Sequence, residues 1–216
     1  MSGDDADGVD DVPQGAREEA VQAVRRALAE HGYAGLTTKK IAAESDKSEA
    51  FLFYHYDSKE DLVLAFMDWA TDRVTARLED IEGDPAQRLY GLCDALVGDP
   101  GDDVERGTNV AMMELLSHAP HNERFRERLV AYERAIVDDT AALIREGIET
   151  GQFREVDPES TAAFILTLAD GTVGAVQALG MTDIGEGVRE RLFDYLAREV
   201  LAEGVTPPET YPVSRR

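Results

Sequence analysis

Residues 36–62, LTTKKIAAESDKSEAFLFYHYDSKEDL, contain two short helical patterns separated by a polar break, and a third helix starts directly behind them. In the first, Thr37 stands as N-cap before 38–44, with Ile41 and Ala42 as the apolar side; in the second, Ser48 caps 49–56. Ser58 and Asp61, three apart, have capping-box spacing, since a hydroxyl and a carboxylate placed so can each satisfy the other's free backbone N–H. The layout is helix-turn-helix.

The second of these helices has an unusual surface. At 100° per residue Leu52 and Tyr56 share one face, taken as inward, while Ala50, Phe51 and Tyr54 fall opposite and Glu49, Phe53 and His55 lie on the flanks. Aromatic side chains aimed at solvent usually mark a contact surface. The only lysines of the chain, Lys39, Lys40, Lys47 and Lys59, cluster in this same stretch. In so acidic a chain that concentration suggests an anionic partner, and small and aromatic side chains beside cations suit the DNA major groove. The alternative is a plain helical hairpin whose lysines form a solvated face.

Reach divides the contacts. Thr38, Lys39 and Lys40 sit at a helix N-terminus, where free N–H groups and the dipole favour phosphate, and Lys59 has the same advantage on the third helix. Tyr54 and His55 end the recognition helix and are assigned to the backbone as well. Ser48, Glu49, Ala50, Phe51 and Phe53 lie nearer its start. There Phe51 is expected to pack on a thymine methyl and Glu49 to accept from a cytosine amino group.

Gly32-Tyr33, Thr37-Thr38-Lys39-Lys40-Ile41-Ala42, Phe53-Tyr54-His55-Tyr56 and Ser58-Lys59-Glu60-Asp61-Leu62 together resemble the N-terminal domain of TetR/AcrR-type transcriptional regulators. The likeness departs at the turn, where Asp46-Lys47-Ser48 replaces the usual Gly-Val-Ser, at Glu49, where a basic residue is common, and at Phe51, where a small one is. The resemblance implies an all-α chain, with an N-terminal three-helix DNA-binding domain and a C-terminal helical ligand-binding and dimerisation domain. It also implies that the last two long helices form a four-helix bundle with a second copy, and two recognition helices on a two-fold axis imply a palindromic double-stranded operator.

Charge at first argues against nucleic acid. The 216 residues include 44 acidic and 22 basic, net −22, with pI near 4.4. Either the chain binds no DNA or the charge answers an environment, because excess surface carboxylate keeps halophilic proteins hydrated in concentrated salt. The distribution favours the second reading. Residues 17–68 carry a net of only −3, which leaves −19 elsewhere, and at about 1 M salt the Debye length is only about 3 Å. The lone Cys93 permits no intrachain disulfide. No apolar run reads as long enough to span a bilayer and the N-terminus lacks signal-peptide order, so a cytoplasmic protein without a membrane partner is expected.

Along the chain, residues 1–15 read as a disordered acidic tail, 16–62 as the DNA-binding domain, 63–204 as the ligand-binding and dimerisation domain, and 205–216 as a second tail. Helices are expected over 17–31, closed by Gly32, then 58–81, 85–97, 108–118, 122–150, 157–179 and 185–202, with 98–107 a loop. Helix 157–179 is apolar nearly all round, so it needs a second copy to cover it. Phe66, Trp69, Tyr90, Met112, Met113, Leu116 and Tyr132 are candidate walls of an effector pocket, apolar and aromatic, suited to a lipophilic ligand; Met112 and Met113 read equally well as core filler.

No metal-ligand spacing joins His31, His55, His118 and His121, and no phosphate-cradling glycine loop is present, so neither cofactor nor catalysis is expected. The sequence thus describes a dimeric, ligand-released repressor. The rival is a helical ligand-binding or scaffolding protein that has lost DNA binding, for which Asp46 and Glu49 speak.

Overall fold

The computed structural model describes residues 14–45, 48–98, 101 and 103–211. Among those residues every regular element is a helix, and the loops between them add one isolated antiparallel bridge, Phe153 to Leu201. They form two compact units: residues 14–69 with 103–128, and 70–101 with 129–211.

In the first unit α1 (Gln14–Gly35) buries Ala20, Val21, Ala23, Val24, Ala27 and Leu28. The expected stop at Gly32 is a break instead. Gly32 adopts φ 63°, a left-handed conformation that glycine alone reaches without a Cβ penalty, and one further turn runs on to Gly35. α2 (Thr38–Ala43) starts where Thr37 accepts from the Lys40 N–H at 3.2 Å, and α3 (Glu49–His55) where Ser48 accepts from the Phe51 N–H at 3.2 Å. α4 (Lys59–Glu79) opens with the Asp61 N–H donating to Ser58 at 3.1 Å, while the Ser58 hydroxyl donates to the Asp61 carboxylate at 2.6 Å. Its residues Leu62, Val63, Leu64, Ala65, Phe66 and Met67 are all buried.

α6 (Asp103–His118) also belongs to this unit and corrects the sequence reading, because it begins at Asp103 where a loop to residue 107 was expected. Asp103 and Glu105 favour a helix start, and Arg106 pairs with Asp103 at 2.6 Å. The mid-helix Gly107 has a packing reason: a Cβ there would lie 2.6 Å from the Ala29 Cβ and 2.8 Å from its carbonyl oxygen. A short 3-10 turn, Ala119–His121, leads to α7 (Glu123–Glu149), which Asn122 caps by accepting from the Phe125 N–H at 3.1 Å.

The second unit is built around α5 (Pro85–Val97), α8 (Pro158–Val173, then a π turn to Ala178), α9 (Thr182–Tyr195, then a π turn to Val200) and the rest of α7. Asp84 and Gln87 form a full capping box on α5. Leu89, Tyr90, Cys93, Ile144, Ile165, Phe193, Leu196 and Val200 make its core. After α7 the chain reverses at Gly151, φ 72°, and lays Phe153 on Gly147, where a Cβ would meet the ring. Arg154 N–H to Val200 O and Ala202 N–H to Gln152 O, both 2.8 Å, tie this turn to the end of α9.

Residues 158–178 are long and apolar enough to cross a bilayer by length and composition, which corrects the expectation that no such run exists; 33% of that window is buried within the chain. The remainder includes Phe164, 46% exposed.

Candidate nucleic-acid interface

The recognition helix faces as its periodicity requires. Leu52 and Tyr56 are buried, Ala50 is exposed, and Tyr54 stands 83% exposed. Phe51 is half-buried and meets His55 edge-on, ring centroids 4.9 Å apart, and His55 meets Tyr54 in the same way at 4.8 Å. Ser48 is exposed at the helix start. Asp46 and Lys47 lie outside the described residues, as do the side chains of Glu49 and Phe53, so the base-reading role expected of Glu49 rests on its place at the first position of α3.

The described lysines of the motif are not equivalent. Lys39 is exposed. Lys40 donates to the Gly35 carbonyl at 2.8 Å, while Lys59 donates to the Leu36 and Tyr33 carbonyls at 3.3 and 3.5 Å and sits 4.3 Å from the centre of the Tyr33 ring. Both ammonium groups therefore close the carbonyl end of α1. Since an ammonium carries three donors, each keeps capacity for an anion. Thr38 is half-buried at the first turn of α2, and Arg26 reaches the carboxylate and carbonyl of Glu44 at that helix's end.

The supports behind this face were not legible as a motif. Glu114 of α6 accepts from the Tyr33 N–H at 2.6 Å and the Ala34 N–H at 2.9 Å. The Tyr33 ring meets His118 and Phe125 edge-on at 4.9 and 5.3 Å; burial, then Glu60 and Glu114, raise its pKa. Asn122 donates to Glu60, and Arg124 pairs with Glu60 and with Asp61 at 3.1 and 2.6 Å. Burial pushes the Asp61 carboxyl up, but bonds from Ser58 and Arg124 outweigh it and hold the group below its ordinary range.

The residues expected to line an effector pocket divide between the units. Phe66 and Trp69 stack with centroids 6.2 Å apart in the first, where Met112 and Met113 are half-buried and Leu116 is 47% exposed. Tyr90 and Tyr132 belong to the second. Tyr90 is taken up by the core, packed on Phe193 and Tyr211 with its hydroxyl donating to the Phe193 carbonyl at 3.3 Å. Tyr132 stands beside Glu133 and feels Asp170 of α8. Burial and then these carboxylates push its phenol up to about 12, and burial and then Asp170 push Glu133 up to about 7. Among the described residues no group of three or more His, Cys, Asp or Glu is placed to hold a metal ion.

Residues 21–66 match the family described as bacterial regulatory proteins, tetR family, and residues 85–201 match the BetI-type transcriptional repressor C-terminal domain. A TetR transcription regulator from Haloarcula marismortui shares 35% identity with a TM-score of 0.77, covering 87% of this chain and 100% of that one. The regulator from Saccharomonospora viridis solved in complex with choline is 26% identical, TM-score 0.71, covering 88% and 100%. The transcriptional repressor AcnR of Corynebacterium glutamicum is 25% identical over 183 residues, 84% of this chain and 91% of its own. With a helix-turn-helix headpiece at one end and a BetI-type helical unit filling most of the rest, the chain belongs to the TetR family of DNA-binding transcriptional regulators.

Proposed function

We propose that this regulator is a homodimeric repressor that binds a palindromic duplex through α2, α3 and the start of α4, and that a small ligand releases it. The observation carrying the dimer is the uncovered apolar face of α8 and α9. Phe164, Leu168, Ile184, Val188 and Leu192 line an open groove of about 260 Å³, flanked by Leu179 and Met181, 72% and 40% exposed. An apolar face of this kind is covered most simply by its own copy about a two-fold axis, and this reading also accounts for the length and hydropathy of 158–178 without a membrane. Analytical ultracentrifugation tests it: dimers are expected for the full chain and monomers for Phe164→Glu with Ile184→Glu.

The effector reading changes in chemistry. A lipophilic ligand was expected; Tyr132 beside the half-buried Glu133 and the Asp170 carboxyl group of α8 favours, within that class, a ligand with a positive charge on an apolar body. The choline complex of the Saccharomonospora viridis regulator supports the same class. Titration with choline, followed through release of a bound duplex, tests this. A high-salt cytoplasm is the proposed setting for the net charge of −22, and binding rather than catalysis the proposed activity.

A further inference from the structure

α1 is interrupted at Gly32, so the N–H groups of Tyr33 and Ala34 lose the acceptors that an unbroken helix would supply. The Tyr33 N–H is part-buried and has to find a partner, while the Ala34 N–H is open to water. Here both find the same one: the two carboxylate oxygens of Glu114, on a helix some eighty positions away in sequence, take one N–H each at 2.6 and 2.9 Å. Gly32 makes room for it, since a Cβ at that position would lie 2.7 Å from a Glu114 oxygen. At the end of the same turn the carbonyls of Tyr33, Gly35 and Leu36 are held by Lys59, at the start of α4, and Lys40, within α2, the Tyr33 carbonyl accepting also from the Leu36 N–H at 3.2 Å. The last turn of α1 is thus fixed by a carboxylate from α6 on its N–H side and by the motif's own lysines on its carbonyl side.

We propose that Glu114 is a positioning residue for DNA binding: it holds the break in α1, and through that turn sets where Lys40 and Lys59, and the helices that carry them, stand. The inference rests on the chain being a DNA-binding regulator and on no assignment of its effector. It has an electrostatic signature. Removing a negative charge from a protein of net −22 favours DNA association if charge alone acts, and removes no phosphate contact. A positioning role has the opposite sign: binding weakens although the protein becomes less acidic.

The test uses the full-length protein and the duplex it enriches from fragmented genomic DNA of its own organism, compared with a shuffled duplex of equal length and composition. Glu114→Gln keeps the shape but offers one acceptor and an amide donor to two N–H groups. Glu30→Gln, exposed on α1, removes the same charge as a control. Measured well below the melting temperature, Glu114→Gln is expected to lower the ratio of enriched to shuffled affinity about tenfold, with a smaller salt slope on the enriched duplex as Lys40 and Lys59 lose their places on the phosphates. Glu30→Gln is expected to leave that ratio alone. A ratio retained in Glu114→Gln, or binding that rises as in Glu30→Gln, overturns the proposal. So does fast exchange of the wild-type Tyr33 and Ala34 amides, a measurement independent of how well any variant folds. Failure of the wild type to enrich any duplex would instead overturn the DNA-binding reading itself.

Discussion

Gly107 of α6 meets Ala29 of α1 backbone to backbone: a Cβ at position 107 would lie 2.7 Å from the Ala29 Cα and 2.8 Å from its carbonyl oxygen. No side-chain rotation relieves such a contact, so Gly107→Ala has to part the two helices. A loss of about 1–3 kcal/mol is expected in denaturant unfolding, the range for overpacking, along with weaker DNA binding, because Glu114 moves with α6. Gly15→Ala, with nothing within 4 Å of the added Cβ, is the neutral control.

The Tyr56 hydroxyl is buried, with no hydrogen-bond partner among the described residues. Leaving a buried polar group unpaired costs about 1–3 kcal/mol. Tyr56→Phe is therefore expected to leave stability unchanged or raise it by about 1 kcal/mol, and to leave DNA affinity unaltered. A clear loss on thermal unfolding would show that the hydroxyl has a partner after all.

Glu133 gives stability a pH dependence of definite sign. Its folded pKa, about 7, is raised above the unfolded value near 4.5, so the folded state holds a proton that the unfolded state releases. Stability is then highest below the unfolded pKa and falls as pH rises from about 4.5 through about 7. Glu133→Gln should flatten that part of the curve and stabilise the protein at pH 8, by about 1 kcal/mol once solvent screening is allowed for. An unchanged curve would place Glu133 in water.

Lys39 and Lys59 separate contact from support. Lys39 is exposed, so Lys39→Ala is expected to weaken binding to every duplex and to reduce the salt slope by about one unit, with stability intact. Lys59→Ala should do the same and also lower the melting temperature, since Leu36 and Tyr33 lose a carbonyl partner. Equal melting temperatures for the two variants would contradict the support role. Glu49→Ala is expected to relax base choice with little change in overall affinity; a uniform gain on all duplexes would make Glu49 a repulsive charge.

What the sequence made legible was local. Thr37, Ser48 and Ser58 all cap the helices they precede, because a cap is decided within three or four residues. The inward face of α3 followed from its period, with Leu52 and Tyr56 buried as expected. The start of α6 was missed because residues 98–107 have the composition of a loop, and the reason for a glycine at 107 is a tertiary contact with Ala29. The second role of Lys40 and Lys59 was missed for a related reason: the carbonyls they hold belong to a further turn, ending at Gly35, behind a break at Gly32 that reads in sequence as a plain helix end. In sequence Tyr90 reads as a pocket wall because an aromatic residue type cannot tell the wall of a pocket from the middle of a core, and its full burial and hydroxyl bond to the Phe193 carbonyl put it in the core.

The most direct measurement of the central claim is selection of genomic fragments by the full-length protein at molar salt, followed by footprinting of the enriched duplex. The account predicts protection of two half-sites related by inverted repeat, one helical turn or a multiple apart as two-fold symmetry requires, and loss of enrichment for a Lys39→Ala, Lys40→Ala double variant. Recovery of no sequence above background at any salt concentration, by a protein that sediments as a folded dimer, would contradict it and leave the rival reading of a ligand-binding protein without DNA.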